Sequence, residues 1–128
     1  MSRIVLDASA ILAIINGEPG AEKLTPKLLG DAAASAVNLA EVQTKLVSLG
    51  WTSEQAWEDA TSPVRDIMSF DEEHARAAGD LVTQTRQFGL SLGDRACLAL
   101  GMALKAPVYT AEKSWNKVKV GVRVHVIR

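Results

Sequence analysis

The chain has 128 residues, 48 % of them hydrophobic and 23 % charged, with a formal net charge of −1. These values exclude a disordered chain or a collagen-like repeat and suit one domain, residues 1–128, while the single cysteine, Cys97, excludes an intramolecular disulfide and fits a reducing compartment. The charge is uneven: six basic residues against Glu112 give residues 105–128 a net +5, leaving −6 for the rest, so a basic C-terminal patch is the one place suited to phosphates.

In chain order, Arg3 to Leu6 is a short apolar run of the kind a buried strand shows, and Asp7 ends it. One basic residue and an interrupted apolar stretch over 1–13 do not make a signal peptide, and no apolar run is long enough for a membrane span, so a cytoplasmic protein is expected. Ala8 to Ile15 is apolar nearly all round and predicts a buried helix stopped by Asn16-Gly17. Pro19-Gly20 opens a second helix to about Leu29, with Pro26 its weak point and Gly30 its stop. Ala33 to Val37 predicts a short strand. Asn38 to Leu49 places Leu39, Val42, Leu46 and Leu49 at helical spacing before Gly50. Thr52 or Ser53 caps a helix with Trp57 on its apolar side, ended by Pro63. Val64 to Phe70 is strand-like. Asp71 caps a long helix carrying Ala75, Ala78, Leu81 and Val82, with Gly89 beyond its end. Ser91 caps a helix over 92–104, Pro107 to Thr110 is a strand, and Arg123 to Ile127 alternates into a last one. Strands and helices thus alternate from end to end, which predicts an α/β fold, a parallel sheet covered by helices on both faces.

In such a sheet the functional crevice lies beyond the carboxyl ends of the strands. Asp7, Glu41, Asp94 and Glu112 all fall there, or at the start of a helix leading away. Gathered carboxylates raise each other's proton affinity, and a divalent cation relieves that cost; an all-oxygen set favours Mg²⁺ or Mn²⁺ over zinc. Taken singly, the acids have plainer readings. Asn38-x-x-Glu41 and Ser91-x-x-Asp94 fit helix capping, and Glu112 fits a solvated charge. Asp7 is harder to explain away, because it sits between apolar segments where an unpartnered carboxylate is costly.

Asp7-Ala8-Ser9-Ala10 after a strand, Asn38-Leu39-Ala40-Glu41-Val42, Leu90-Ser91-Leu92-Gly93-Asp94-Arg95, and Val108-Tyr109-Thr110-Ala111-Glu112-Lys113 follow one another in this order. The combination resembles the PIN-domain family and, within it, is most similar to the VapC-type ribonuclease toxins of bacterial toxin–antitoxin pairs. The resemblance implies a Mg²⁺- or Mn²⁺-dependent endoribonuclease whose acids line a pocket at the sheet rim. Asp7, Glu41 and Asp94 match the family's three principal acids, and Ser9 and Thr110 its hydroxyl residues. Glu112 stands where the family usually has Asp, one methylene shorter. The resemblance also implies a homodimer and a cognate antitoxin, a short, partly disordered protein that lays a helix into an apolar groove formed by the early helices and residues 38–60, and brings an Arg to the acidic pocket.

A phosphodiester hydrolase needs an activated water and compensation for charge on the phosphate, both of which a metal supplies. Asp7 and Asp94 are assigned as its direct ligands. Glu41 orients or deprotonates the water or holds a second ion, and Ser9 and Thr110 aim the carboxylates by hydrogen bonds. Arg95 and Lys113 are candidate clamps for RNA phosphates, against the plainer reading of a solvated face. His74 reads as surface-facing and His125 as part of the last strand, neither a general base. Trp51, Trp57 and Trp115 read as core or interface before base-stacking, and Cys97 as a small core residue. Two other classes compete. A phosphoryl-transfer domain would want a second acid at position 9 or an acidic pair near the first strand, and has neither. A non-catalytic protein-binding module on the same fold is the stronger rival, because Glu112 departs from the family's pattern.

Overall fold

The computed structural model describes residues 3–128, so the first two positions of the predicted domain lie outside the described residues. Among those described, five short strands, β1 (Ile4–Leu6), β2 (Ala32–Ser35), β3 (Asp66–Met68), β4 (Val108–Thr110) and β5 (Val124–Val126), form one sheet in the order β3-β2-β1-β4-β5. Every pairing is parallel. The chain moves outward from β1 through β2 to β3, then returns to lay β4 and β5 on the other side. The ends of β1 and β4 therefore flank the point where the winding reverses, which is where such sheets open a crevice, with the end of β2 next to it beyond β1.

Helices cover both faces, as the alternation predicts. Along β1 the side chains alternate: Ile4 and Leu6 pack with α1 (Ala8–Asn16), α3 (Ala36–Ser48) and α4 (Ser53–Thr61), and Val5 packs with α5 (Glu72–Asp80) and α7 (Leu92–Leu104). The first core takes Ile11, Leu39, Val42 and Leu46; the second takes Leu98, Leu100, Val108 and Trp115. Cys97 and Trp115 are core residues, as expected.

The differences from the sequence-based expectations have local causes. The helix expected from residue 19 to 29 is broken. A 3₁₀ turn at Ala21–Lys23 is followed by a separate short helix, α2 (Pro26–Leu29). Pro26 pushes Thr25 into an extended conformation (φ −70°, ψ 159°), and the Thr25 hydroxyl then caps the new start by accepting from Leu28 N. The long helix expected after Asp71 ends at Asp80, continues as a short α6 (Val82–Thr85) and closes through a 3₁₀ turn at Arg86–Phe88. Thr83 and Thr85 donate their hydroxyls back to the carbonyls of Asp80 and Leu81, the kind of bonding that bends a helix. In α3 the cap is Ser35, whose hydroxyl accepts from Val37 N, so Asn38 lies inside the first turn. In α4, Ala56 and Ala60 fill the buried side, and Trp57, placed there by the sequence reading, is 44 % exposed.

Candidate active site

Asp7 is the first residue past β1 and the N-cap of α1, in extended conformation. Its carboxylate is 2 % exposed and engaged on both oxygens. Oδ1 accepts from Ala10 N (2.8 Å) and from the Ser9 hydroxyl (2.8 Å), and Oδ2 accepts from the Thr110 hydroxyl at 2.6 Å. The two hydroxyls are 3.1 Å apart, and each is fixed from behind: Ser9 Oγ accepts from Ala111 N (2.8 Å) and Thr110 Oγ1 from Glu112 N (3.0 Å). The loop after β4 is thereby fastened to the loop after β1. Burial pushes the Asp7 carboxyl up from 3.8 to about 7, against the lowering pull of these hydrogen bonds, and the nearby charge of Asp94 adds to the rise.

The other two acids arrive on helices that start at the same rim. Asp94, half-buried in the first turn of α7, closes a capping box with Ser91: its Oδ2 accepts from Ser91 N (2.9 Å) while its own N–H donates to the Ser91 hydroxyl (3.2 Å). Glu41 stands one turn further along α3. Its Oε1 accepts from Asn38 Nδ2 at 2.8 Å, and the same amide nitrogen donates to the carbonyl of Gly93 at 3.0 Å. Partial burial, ahead of the charge of Asp94, raises the Glu41 carboxyl as well, while the Asn38 bond lowers it. The electrostatics thus tie Asp94 to both Asp7 and Glu41.

The remaining predicted residues are placed differently. Glu112 has an exposed side chain and is joined to the cluster by its backbone, through Thr110. Lys113 is exposed in the following 3₁₀ turn. Arg95 donates to the carbonyl of Ala78 (2.9 Å), pinning α7 to α5. His74 is half-buried, with Nδ1 shielded and unpartnered, and so is not the surface residue expected. His125 stacks on Tyr109 at 4.7 Å, and burial lowers its pKa. The sequence reading quoted Asn38 and Gly93 within its motifs but gave Asn38 no role beyond a cap and Gly93 none. The available signal was an asparagine on the Val42 side of an amphipathic helix, where an apolar residue belongs.

Asp7, Glu41 and Asp94 offer hard, anionic oxygens, the donor type of Mg²⁺ and Mn²⁺. A carboxylate buried with a proton affinity near neutrality fits a neighbouring cation. As the side chains stand, no three acids, histidines or cysteines among the described residues enclose a single point, because each carboxylate is turned to its own partner. Thr110 gives one direct check of the Asp7 cradle. Thr110→Val removes a donor from a buried carboxylate and an acceptor from Glu112 N. Urea denaturation at pH 8 is expected to show a loss of about 1–3 kcal/mol. A change within about 0.5 kcal/mol, typical of surface substitutions, would show that the bond does not hold the site.

A family model described as PIN domain matches residues 4–121. By structure, the chain is similar to a chain of DNA-bound VapBC2 from Rickettsia felis, with a TM-score of 0.73 and 22 % identity over 95 % of this chain and 96 % of that one. It is similar to DNA-bound VapBC from Salmonella typhimurium at a TM-score of 0.75 and 16 % identity, with 100 % of both chains covered. It is also similar to VapC20 of Mycobacterium tuberculosis, described as a sarcin-ricin loop cleaving toxin, at 0.72 and 18 %, covering 94 % and 98 %. No curated protein matches by sequence. At these identities the structural likeness speaks for the fold, and the family model, which spans all but the ends of the chain, makes the chain a member of the PIN-domain family.

Proposed function

We propose that the chain is a Mg²⁺- or Mn²⁺-dependent endoribonuclease toxin, hydrolysing RNA phosphodiester bonds and held in check by a cognate antitoxin. The observation that carries this reading is Asp7, a buried carboxylate kept in place by three hydrogen-bond donors beside the charge of Asp94, at the crevice of a PIN-domain sheet. Asp7 and Asp94 would hold the ion, with Glu41 beside them. Bound there, a divalent cation supplies Lewis acidity, acidifying the attacking water and offsetting charge on the phosphate. Ser9 and Thr110 keep the Asp7 carboxylate from rotating, so it would be offered to an ion in one fixed orientation. Glu41, with solvent access and a raised proton affinity, orients the attacking water or takes its proton. Glu112 reaches in from the rim if its longer side chain swings inward, and Lys113 meets the substrate's phosphates.

The partner part of the reading rests on an apolar groove of about 650 Å³ lined by Ile14, Ile15, Pro26, Leu29, Pro63 and Val64, between α1, α2 and the end of α4. It has the character of a seat for a partner's helix. Neighbours of similar fold are described as VapBC complexes, which supports an antitoxin here. A homodimer in the cytoplasm completes the proposal. Among the described residues no helix is long and apolar enough to cross a membrane.

The test is purified protein on total RNA with Mg²⁺, with Mn²⁺ and with EDTA, alongside Asp94→Asn, which keeps the capping oxygen and removes the charge. Discrete, EDTA-sensitive cuts that Asp94→Asn lacks are expected. A folded protein that neither cuts RNA nor binds Mn²⁺ would be the non-catalytic protein-binding module, the reading favoured by the dispersed carboxylates and the outward Glu112.

A further inference from the structure

Asn38 is 1 % exposed, and its carboxamide can face only one way. Both of its close partners, the Glu41 carboxylate and the Gly93 carbonyl, are acceptors, so the NH₂ must point at them. Its Oδ1 is then left buried with no donor. A residue retained only to fill space between α3 and α7 would not carry an amide with an orphaned oxygen, since an apolar side chain of similar size packs there without that cost. Nor is the amide needed to cap α3, because Ser35 does that.

Gly93 is equally unexplained by local structure. It is the second residue of α7, where glycine weakens a helix, and its backbone is ordinary helix. A Cβ on Gly93 would stand 2.3 Å from Glu41 Oε2 and 2.5 Å from both Oε1 and the carboxyl carbon. Both oddities, the polar residue in a core position and the bare position in a helix, are accounted for by the location of one carboxylate.

We infer that Asn38, together with the bare Cα of Gly93, is a positioning device that seats the Glu41 carboxylate against the first turn of α7, beside Asp94. The assignment rests on the metal-dependent nuclease reading and adds to it the residues that place its third acid. Asn38 touches neither substrate nor reacting atoms; it acts through Glu41. Because its amide reaches a carbonyl 55 residues further along the chain, it also fixes the spacing between the two helices that bring Glu41 and Asp94 to the rim.

The test compares wild type with Asn38→Asp, Asn38→Ala and Gly93→Ala, each alone and combined with Glu41→Ala, by Mn²⁺ titration followed by electron paramagnetic resonance and by RNA cleavage. Asn38→Asp keeps the shape and replaces the amide donor by a carboxyl that, ionised, cannot donate to Glu41. Gly93→Ala suits a helix and displaces only the flexible end of Glu41, so it serves even if the Asn38 variants fail to fold. The expected result is Mn²⁺ affinity weakened by about 10–100-fold in the single variants, as for other residues that orient metal ligands, with kcat falling and KM nearly constant. In the Glu41→Ala background the same substitutions should change Mn²⁺ affinity by less than about twofold, within the usual additivity error. Equal losses with and without Glu41 would make Asn38 a structural residue and overturn the inference. So would wild-type Mn²⁺ affinity and cleavage in both Asn38→Asp and Gly93→Ala, with the nuclease reading left standing. A folded wild type that neither binds Mn²⁺ nor cuts RNA would overturn both together.

Discussion

Asp7→Asn is expected to reduce RNA cleavage by on the order of a thousandfold and, without metal at pH 8, to make the protein more stable than wild type. The two effects have one origin. Asparagine keeps the shape of the side chain, an oxygen for Ala10 N and an amide that the Ser9 and Thr110 hydroxyls can accept by rotating. What it removes is the buried charge. Burial lifts the Asp7 carboxyl from 3.8 to about 7, so ionising it inside the fold costs roughly 4 kcal/mol more than ionising it in the unfolded chain. At pH 8 wild type bears that whole cost and Asp7→Asn bears none. At pH 4 Asp7 is protonated in the folded protein and the two should denature nearly together. Urea midpoints at both pH values, with cleavage measured on the same preparations, check the pair. Asp7→Asn less stable than wild type at pH 8 would mean that the hydrogen bonds outweigh the desolvation.

The metal-free wild type itself is expected to lose stability as the pH rises from about 4 to about 7. Over that window the folded state holds a proton on Asp7 that the unfolded state has released, so folding binds protons and each rise in pH works against it. Below the unfolded value of 3.8 the effect is absent, and above about 7 it is complete. Glu41, also raised, acts in the same direction. Mn²⁺ at pH 8 should reverse the loss, by about 2.7 kcal/mol at a hundred times its Kd, and should do little at pH 4.5, where Asp7 keeps its proton. Thermal melts across pH with and without Mn²⁺ decide it. A profile flat between pH 4 and 7 would contradict the buried, ionisable Asp7 on which the site is built.

The elements with strong local signals were legible in the sequence. β1 and α1 are bounded by an apolar run, Asp7 and Gly17, and α7 opens at its Ser91 cap. The breaks were not, because they depend on competition between signals. Apolar spacing carried the reading through Pro26 and past Asp80, where the proline's effect on Thr25 and the threonine back-bonds prevailed. Trp57 was misplaced for a related reason: spacing gives a helix face, whereas which side of the helix meets the core, here the one carrying Ala56 and Ala60, is a tertiary property. In the site, the three acids could be nominated from position after strands. The roles of Asn38 and Gly93 could not, since they exist only in the contact between α3 and α7. The turning of Glu112 toward solvent depends likewise on the loop geometry that Thr110 sets.

The hydroxyl that completes the Asp7 cradle belongs to Thr110, 103 residues further along the chain and on the neighbouring strand. Synthesis at about 5–20 residues per second separates their appearance by roughly 5–20 s. Throughout that interval a growing chain carries its first acid but neither β4 nor the loop that locks the carboxylate. The Asp7 cradle, and with it the proposed site, is therefore incomplete until the chain has been made through β4.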